Sequence, residues 1–340
     1  MKTSIKICVT ILAIAATMGT SHAQATADFF KGKTITINIG FPPGGGYDAN
    51  SRMLARHFGK HIPGNPSVVA ANMPGAGSLV AANTIFNTAA KDGTALVVFA
   101  SSVAVEAILG NPAIKFDPLQ YNWLGSMAQE VAYCGVWQKD GAPSSWADIM
   151  QRETVFGGGA PAAITTQHPT ILRNVLGAKI RVIPGYRGTA DINLAMQKGE
   201  VNGGCGMFGS SINSQWAQYL KSGELKLVLQ MGAAKSQEFG SIPAAIDFAR
   251  SEEDKAVLEI HFGQLALSRP VAAPPGVPPE RLQALRAAFD ATMKDADFLA
   301  EAKKTGLDIN PVDAAGALAL LKRFHAMPRS ALDKARAATK

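Results

Sequence analysis

The chemistry-bearing residues of this chain gather around two glycine triplets. "FPPGGGYDANSR" carries Gly44, Gly45 and Gly46, and "VFGGGAPAA" carries Gly157, Gly158 and Gly159. Each triplet follows a strand-like run and precedes a helix-like one. Glycine adopts positive φ and lets a ligand approach the backbone closely. A helix start adds N–H groups without intrahelical partners and the positive end of a dipole. Together they can hold a small anion on backbone N–H groups, although a tight turn alone also uses glycine. Asp48 stands where the first helix begins, as an N-cap, as an organiser of the loop, or as a partner for a ligand amine or hydroxyl. Two further strand-to-helix turns offer Gly75, Gly77 and Ser78 in "NMPGAGS" and Ser101 and Ser102 in "ASS". Thr165 and Thr166 open a helix after the second triplet. Arg187 in "YRGT" is either a direct carboxylate contact or a solvated surface residue.

No catalytic constellation accompanies these residues. G-x-S-x-G, H-E-x-x-H and G-x-x-x-x-G-K-[ST] are all absent from the sequence. His57 and His61 have metal-like spacing but no evident third ligand, and they read as a solvated helix end. Neither a metal nor a cofactor is expected.

The elements that must position the loops are legible from periodicity. "KTITINIG" alternates, with Ile35, Ile37 and Ile39 on one face. A helix carrying Met53, Leu54 and Phe58 follows, then strands at 67–73 and 94–102, each leading into a helix. Three strand–turn–helix units predict an α/β fold. Extended runs at Trp123–Lys139 and His261–Pro270 read as crossings between two lobes, with hinges near Gly125–Glu130 and His261–Leu265. Pro279 opens a helix whose apolar face holds Leu282, Leu285, Phe289 and Met293. "DAAGALALLKRFHAM" reads as the last helix.

With 340 residues, 47% hydrophobic and 17% charged, the chain is long enough for about two domains. Lys2, Lys6, an apolar run and "SHA" read as a signal peptide over 1–23. Its removal takes two lysines and lowers the net charge from +7 to +5. The remaining cations are scattered, so a nucleic-acid partner is not expected. Cys134 and Cys205 would then stand in an oxidising compartment, either paired or separately buried.

Several segments resemble the receptors of tripartite tricarboxylate transporters, the Bug-type periplasmic solute-binding proteins. They are "FFKGKTITINIGFPPGGGYDANSRMLARHF", "NMPGAGSLVAAN", "PGYRGTADINLAMQKGEVNG" and the C-terminal "APPGVPPERLQALRAAFDATMKDADFLAEAKKTGLDINP". The resemblance implies a two-lobed, type II-like clamshell, each lobe a mostly parallel sheet flanked by helices. Lobe 1 would span 24–125 and 265–340, and lobe 2 would span 126–264. It implies a periplasmic monomer, not an enzyme, that captures a small organic acid for membrane permease subunits. Rival readings are a sensory protein of the same fold and a secreted α/β enzyme. It carries ligand contact to Gly45, Gly46, Asp48, Gly77, Ser78, Ser101 and Ser102, and to Gly158, Gly159, Thr165 and Thr166. The chain departs from the family pattern at Ala71, where glutamate is usual, at Arg187, where lysine is common, and in "GGGAPAAITTQHP".

Overall fold

A computed structural model describes residues 24–139, 141–161 and 163–340. The expected signal peptide lies outside the described residues. The chain divides into two compact units. The first runs through Phe99 and adds Gln120–Gly125 and Val271–Ala302. The second comprises Ala100–Leu119, Ser126–Pro270 and Lys303–Lys340. Lys303–Lys340, which the sequence reading has in lobe 1, thus groups with the second unit.

The first unit is built on β1 (Thr34–Ile39), whose Ile35, Ile37 and Ile39 are fully buried. β1 pairs in parallel with β2 (Ser67–Asn72) and with β3 (Ala95–Val98) on its other side. β4 (Asn122–Ser126) and β10 (Pro270–Ala273) extend the sheet in the order β4–β10–β3–β1–β2, with β10 antiparallel to β3. Helix α1 (Gly46–Phe58) buries Met53, Leu54 and Phe58 against this sheet. Burying each such side chain contributes roughly 1.5–3 kcal/mol. Helix α2 (Leu79–Thr88) follows β2.

The second unit holds β5 (Ala132–Trp137), β6 (Thr154–Gly157), β7 (Ile180–Ile183), β8 (Gly203–Phe208) and β9 (Leu225–Met231), ordered β7–β6–β8–β5–β9. β6 is parallel to β7 and β8, whereas β5 is antiparallel to β8 and β9. Both sheets are therefore mixed. Helices α3 (Ser101–Ile108), α4 (Ile164–Leu176) and α5 (Thr189–Lys198) precede α6 (Glu252–Gly263). In the first unit, α7 (Pro279–Thr292) begins at Pro279 as expected, and α8 covers Ala296–Thr305. α9 (Ala314–His325) and α10 (Arg329–Ala338) belong to the second unit.

Two expectations need correction. His261–Pro270 is not an extended run, because α6 continues to Gly263 and a 3-10 turn covers Gln264–Leu267. Ser251 accepts a hydrogen bond from the Asp254 N–H, and acids fill the first turn, so the helix is well started. Its end mimics a strand because Leu258, Ile260 and Phe262, all buried, alternate with Glu259 and His261. The helix at 314–325 is not the last, for α10 follows it. Its inner face is built from Ala331, Leu332, Ala335 and Ala338, mostly too small to stand out as an apolar stripe.

Cys134 of β5 and Cys205 of β8 form a disulfide between neighbouring strands. The bond closes a segment with a sequence separation of 71, for which the chain-entropy relation implies about 4 kcal/mol of stabilisation. Reducing it should lower the unfolding free energy of the second unit by that order. Urea denaturation with and without reductant measures this, and coincident curves would show that the bond contributes nothing.

Candidate functional site

In the first unit, two loops lie side by side at the carboxyl ends of the parallel strands β1 and β2. The first begins at Gly40, where a Cβ would lie 2.4 Å from Cβ of Ser78, so glycine is required by the close approach of the second loop. Gly44 has φ +90°, a conformation that favours glycine. Gly45 differs. Its φ of −87° and ψ of 172° are ordinary extended values, and a Cβ there would meet no atom of the described residues within 4 Å. Neither backbone strain nor internal packing accounts for glycine at this position. Gly46 starts α1, which has no side-chain cap, so the helix itself does not satisfy its first N–H groups.

Asp48 holds the first loop in place. One carboxylate oxygen accepts the Gly44 N–H at 2.9 Å. The other accepts Arg52 Nε at 2.9 Å and Asn72 Nδ2 at 2.8 Å. Asn72 Oδ1 accepts from Arg52 Nη2 at 2.7 Å, and Asn72 Nδ2 also donates to the Phe41 carbonyl at 2.9 Å. Burial pushes the Asp48 carboxyl upward, but the bonds from Arg52, Gly44 and Asn72 outweigh it and hold it at about 2. The carboxylate is thus committed to ordering the loop. Arg52 and Asn72 were missed as site residues, although Arg52 stands one helical turn from Asp48, a spacing that signals such a pair. Tyr47 stacks on Phe41 with ring centroids 3.9 Å apart.

The second loop carries four successive residues with positive φ: Gly75 at 149°, Ala76 at 45°, Gly77 at 64° and Ser78 at 80°. Two of these are not glycine, and each such residue costs roughly 1–2 kcal/mol. Strain of this kind persists where surrounding structure enforces it, and it concentrates at ligand sites. Ser78 is fully buried, and its N–H donates to the Gly75 carbonyl at 3.0 Å. Successive N–H groups in such turns form concavities suited to anions.

The remaining predicted residues lie in the second unit. Ser101 and Ser102 start α3, with Ser101 buried and no side-chain cap on the helix. At the end of β6, the Gly158 N–H donates to the Ile183 carbonyl at 2.8 Å. The Gly159 N–H donates to Thr165 Oγ1 at 3.0 Å, and Thr166 Oγ1 donates to the Gly159 carbonyl at 3.1 Å. A Cβ on Gly158 would lie 2.7 Å from both Thr166 Oγ1 and Val182 Cγ1, so close packing accounts for that glycine. The Arg187 side chain is 91% exposed and donates from Nε to Asp191 at 2.9 Å.

His57 and His61 do not form a solvated helix end. His57 Nε2 lies 2.8 Å from Glu301, and His61 Nε2 lies 3.0 Å from Asp295, which Lys60 also pairs at 2.9 Å. The histidines tie α1 and the turn after it to α8. Among the described residues, no group of three or more His, Cys, Asp or Glu could hold a metal ion.

The sequence profile of the Tripartite tricarboxylate transporter family receptor matches residues 51–323. The chain belongs to this family. A curated relative, "UPF0065 protein in gbd 5'region" of Cupriavidus necator, is 28% identical over 278 residues, covering 80% of this chain and 78% of its own. A TctC solute binding protein from Polaromonas, solved with no ligand, has a TM-score of 0.66 at 19% identity, covering 86% of this chain and 96% of that one. The R. palustris protein Rpa4515, solved with adipate, has a TM-score of 0.62 at 18% identity, covering 88% and 97%. The chain is thus a solute-binding receptor of the transporter family and not an enzyme, and the family works in the periplasm with membrane permease subunits. No helix among the described residues is long and apolar enough to cross a membrane.

Proposed function

We propose that this receptor holds a carboxylate group of a small organic acid on backbone N–H groups of Gly45, Gly46 and Asp48 and of Gly75, Ala76 and Gly77, and works as a monomer. The observation that carries the reading is the strained run of four positive φ values at Gly75–Ser78, packed against the Gly40 end of the other loop. Gly45 supports it, being a glycine that neither strain nor packing explains. The Asp48 carboxylate then orders the loop instead of touching the acid. Thr165 and Thr166 brace the second-unit turn. Adipate, bound by the R. palustris protein, belongs to the expected ligand class.

The test is calorimetric titration of the mature protein with adipate, malate and citrate, together with neutral polyols of similar size. At least one acid should bind, and at 100 times its Kd it should stabilise the protein by about 2.7 kcal/mol. Binding of polyols alone, or of nothing in the panel, would overturn the reading.

A further inference from the structure

A cavity of about 350 Å³ opens in the second unit, between the end of β9, residues 244–246 and helix α6. No residue of the loops described above lines it. Ala233, Ala234 and Ile246 give it an accessible apolar floor, while Met231, Leu258 and Phe262, which also line it, are almost fully buried. Its rim carries Lys235, Lys255 and Arg323 against a single acid, Glu259, so three cations and one anion leave the lining at +2. Each cation has an acidic neighbour. Lys235 Nζ lies 2.8 Å from Asp247, Lys255 Nζ lies 4.0 Å from Glu252, and Arg323 Nη2 lies 2.8 Å from Glu259. All three cationic side chains are more than half exposed, at 55%, 55% and 56%. Exposed pairs of this kind hold weakly, so the cations can be shared with a second carboxylate.

We propose that this cavity is a second binding site, for an amphipathic monoanion with a carboxylate on a hydrocarbon body. Its volume falls in the range of small-molecule pockets, which begins at about 300 Å³. The hydrocarbon leaves water for the floor formed by Ala233, Ala234 and Ile246. The carboxylate stays at the wet rim, on Lys255 and Arg323. A neutral molecule with the same body leaves the cations unused, and a short hydrophilic diacid leaves the floor unfilled. The site is independent of the carboxylate reading of the first-unit loops.

Octanoate is the probe, titrated calorimetrically into the wild type, Gly45→Val, and the double variant Lys255→Gln/Arg323→Gln made in both backgrounds. Octanoate should bind Gly45→Val, and the added double substitution should weaken that binding by at least about tenfold. 1-Octanol should bind Gly45→Val at least about tenfold more weakly than octanoate does. Melting curves should coincide, because both substituted side chains are exposed. The double variant in the wild-type background should keep its affinity for the acid that binds the loops. Unchanged octanoate affinity in the double variant, octanol binding as tight as octanoate, or no octanoate binding at millimolar concentration would each overturn the proposal. If Gly45→Val instead retains full binding of the loop ligand, the loop reading fails while the octanoate comparison still decides this one.

Discussion

Gly45→Val is expected to remove organic-acid binding while leaving the protein as stable as the wild type. The second half of that expectation makes the first informative. At φ −87° and ψ 172° a valine backbone is at ease, and its Cβ would meet no atom of the described residues within 4 Å. The space it fills is the space a ligand would use to reach the N–H groups behind it. Losing two charge-assisted hydrogen bonds at ~1.5–3 kcal/mol each weakens binding by about a hundredfold or more. Calorimetric titration alongside a melting curve measures both quantities. A folded Gly45→Val protein with wild-type affinity would show that the first triplet is only a turn.

The second triplet cannot be tested in the same way. Gly158→Val would drive a side chain into Thr166 and Val182, so lost binding there would report damaged packing and not a blocked ligand. Nor does Arg187 have the surroundings of an anchoring cation. It is fully solvated and paired with Asp191 one turn on, and truncating it should change affinity little.

The two triplets mark the limit of what was legible in the sequence. Composition and position were alike: three glycines after a strand and before a helix. What separates them is whether the missing Cβ would meet protein or open space, and that depends on residues far along the chain, Val182 for Gly158 and none of the described residues for Gly45. The strand β1 was legible because Ile35, Ile37 and Ile39 alternate with Thr36 and Asn38. The end of helix α6 was not, because Leu258, Ile260 and Phe262 alternate with Glu259 and His261 in the same way, and α10 was missed because alanine carries too little side chain to mark a face. Asp48 was legible only as an N-cap, an organiser of the loop or a partner for a ligand amine or hydroxyl, and its bonds to Gly44, Arg52 and Asn72 single out the second. Its partner Asn72, on the neighbouring strand, could be identified only once the pairing of β1 with β2 was known. The histidines at 57 and 61 have a spacing that suits a metal. Their true partners, Asp295 just before α8 and Glu301 within it, lie more than 230 residues away.

Acid should destabilise the second unit steeply, through two histidines whose proximity no local pattern announces. His168 of α4 is 2% exposed and His261 of α6 is 4% exposed. Neither ring nitrogen of His168 has a hydrogen-bond partner among the described residues, and the ring packs edge-on against Phe262 at 5.2 Å. His261 Nε2 lies 2.9 Å from the Ala335 carbonyl. Burial drives His168 down to about 3, with the neighbouring His261 adding to the shift. Burial likewise drives His261 down to about 4, against the opposing bond to Ala335. In the unfolded chain both titrate near 6.5. Both folded values are depressed, so the native state holds these rings neutral while the unfolded chain takes up protons below about pH 6.5. The stabilisation is complete above that pH and is lost as pH falls toward 4 and then 3. With nearly two extra protons bound on unfolding, stability should drop by about 2.5 kcal/mol per pH unit near pH 5. By pH 4 the loss should be on the order of 5 kcal/mol. Urea denaturation from pH 7 to 4 measures the slope. His168→Leu removes one of the two titrating rings and should roughly halve it. Equal slopes in the wild type and His168→Leu would show that His168 is already protonated in the native state, and that its buried nitrogens have a partner the fold does not reveal.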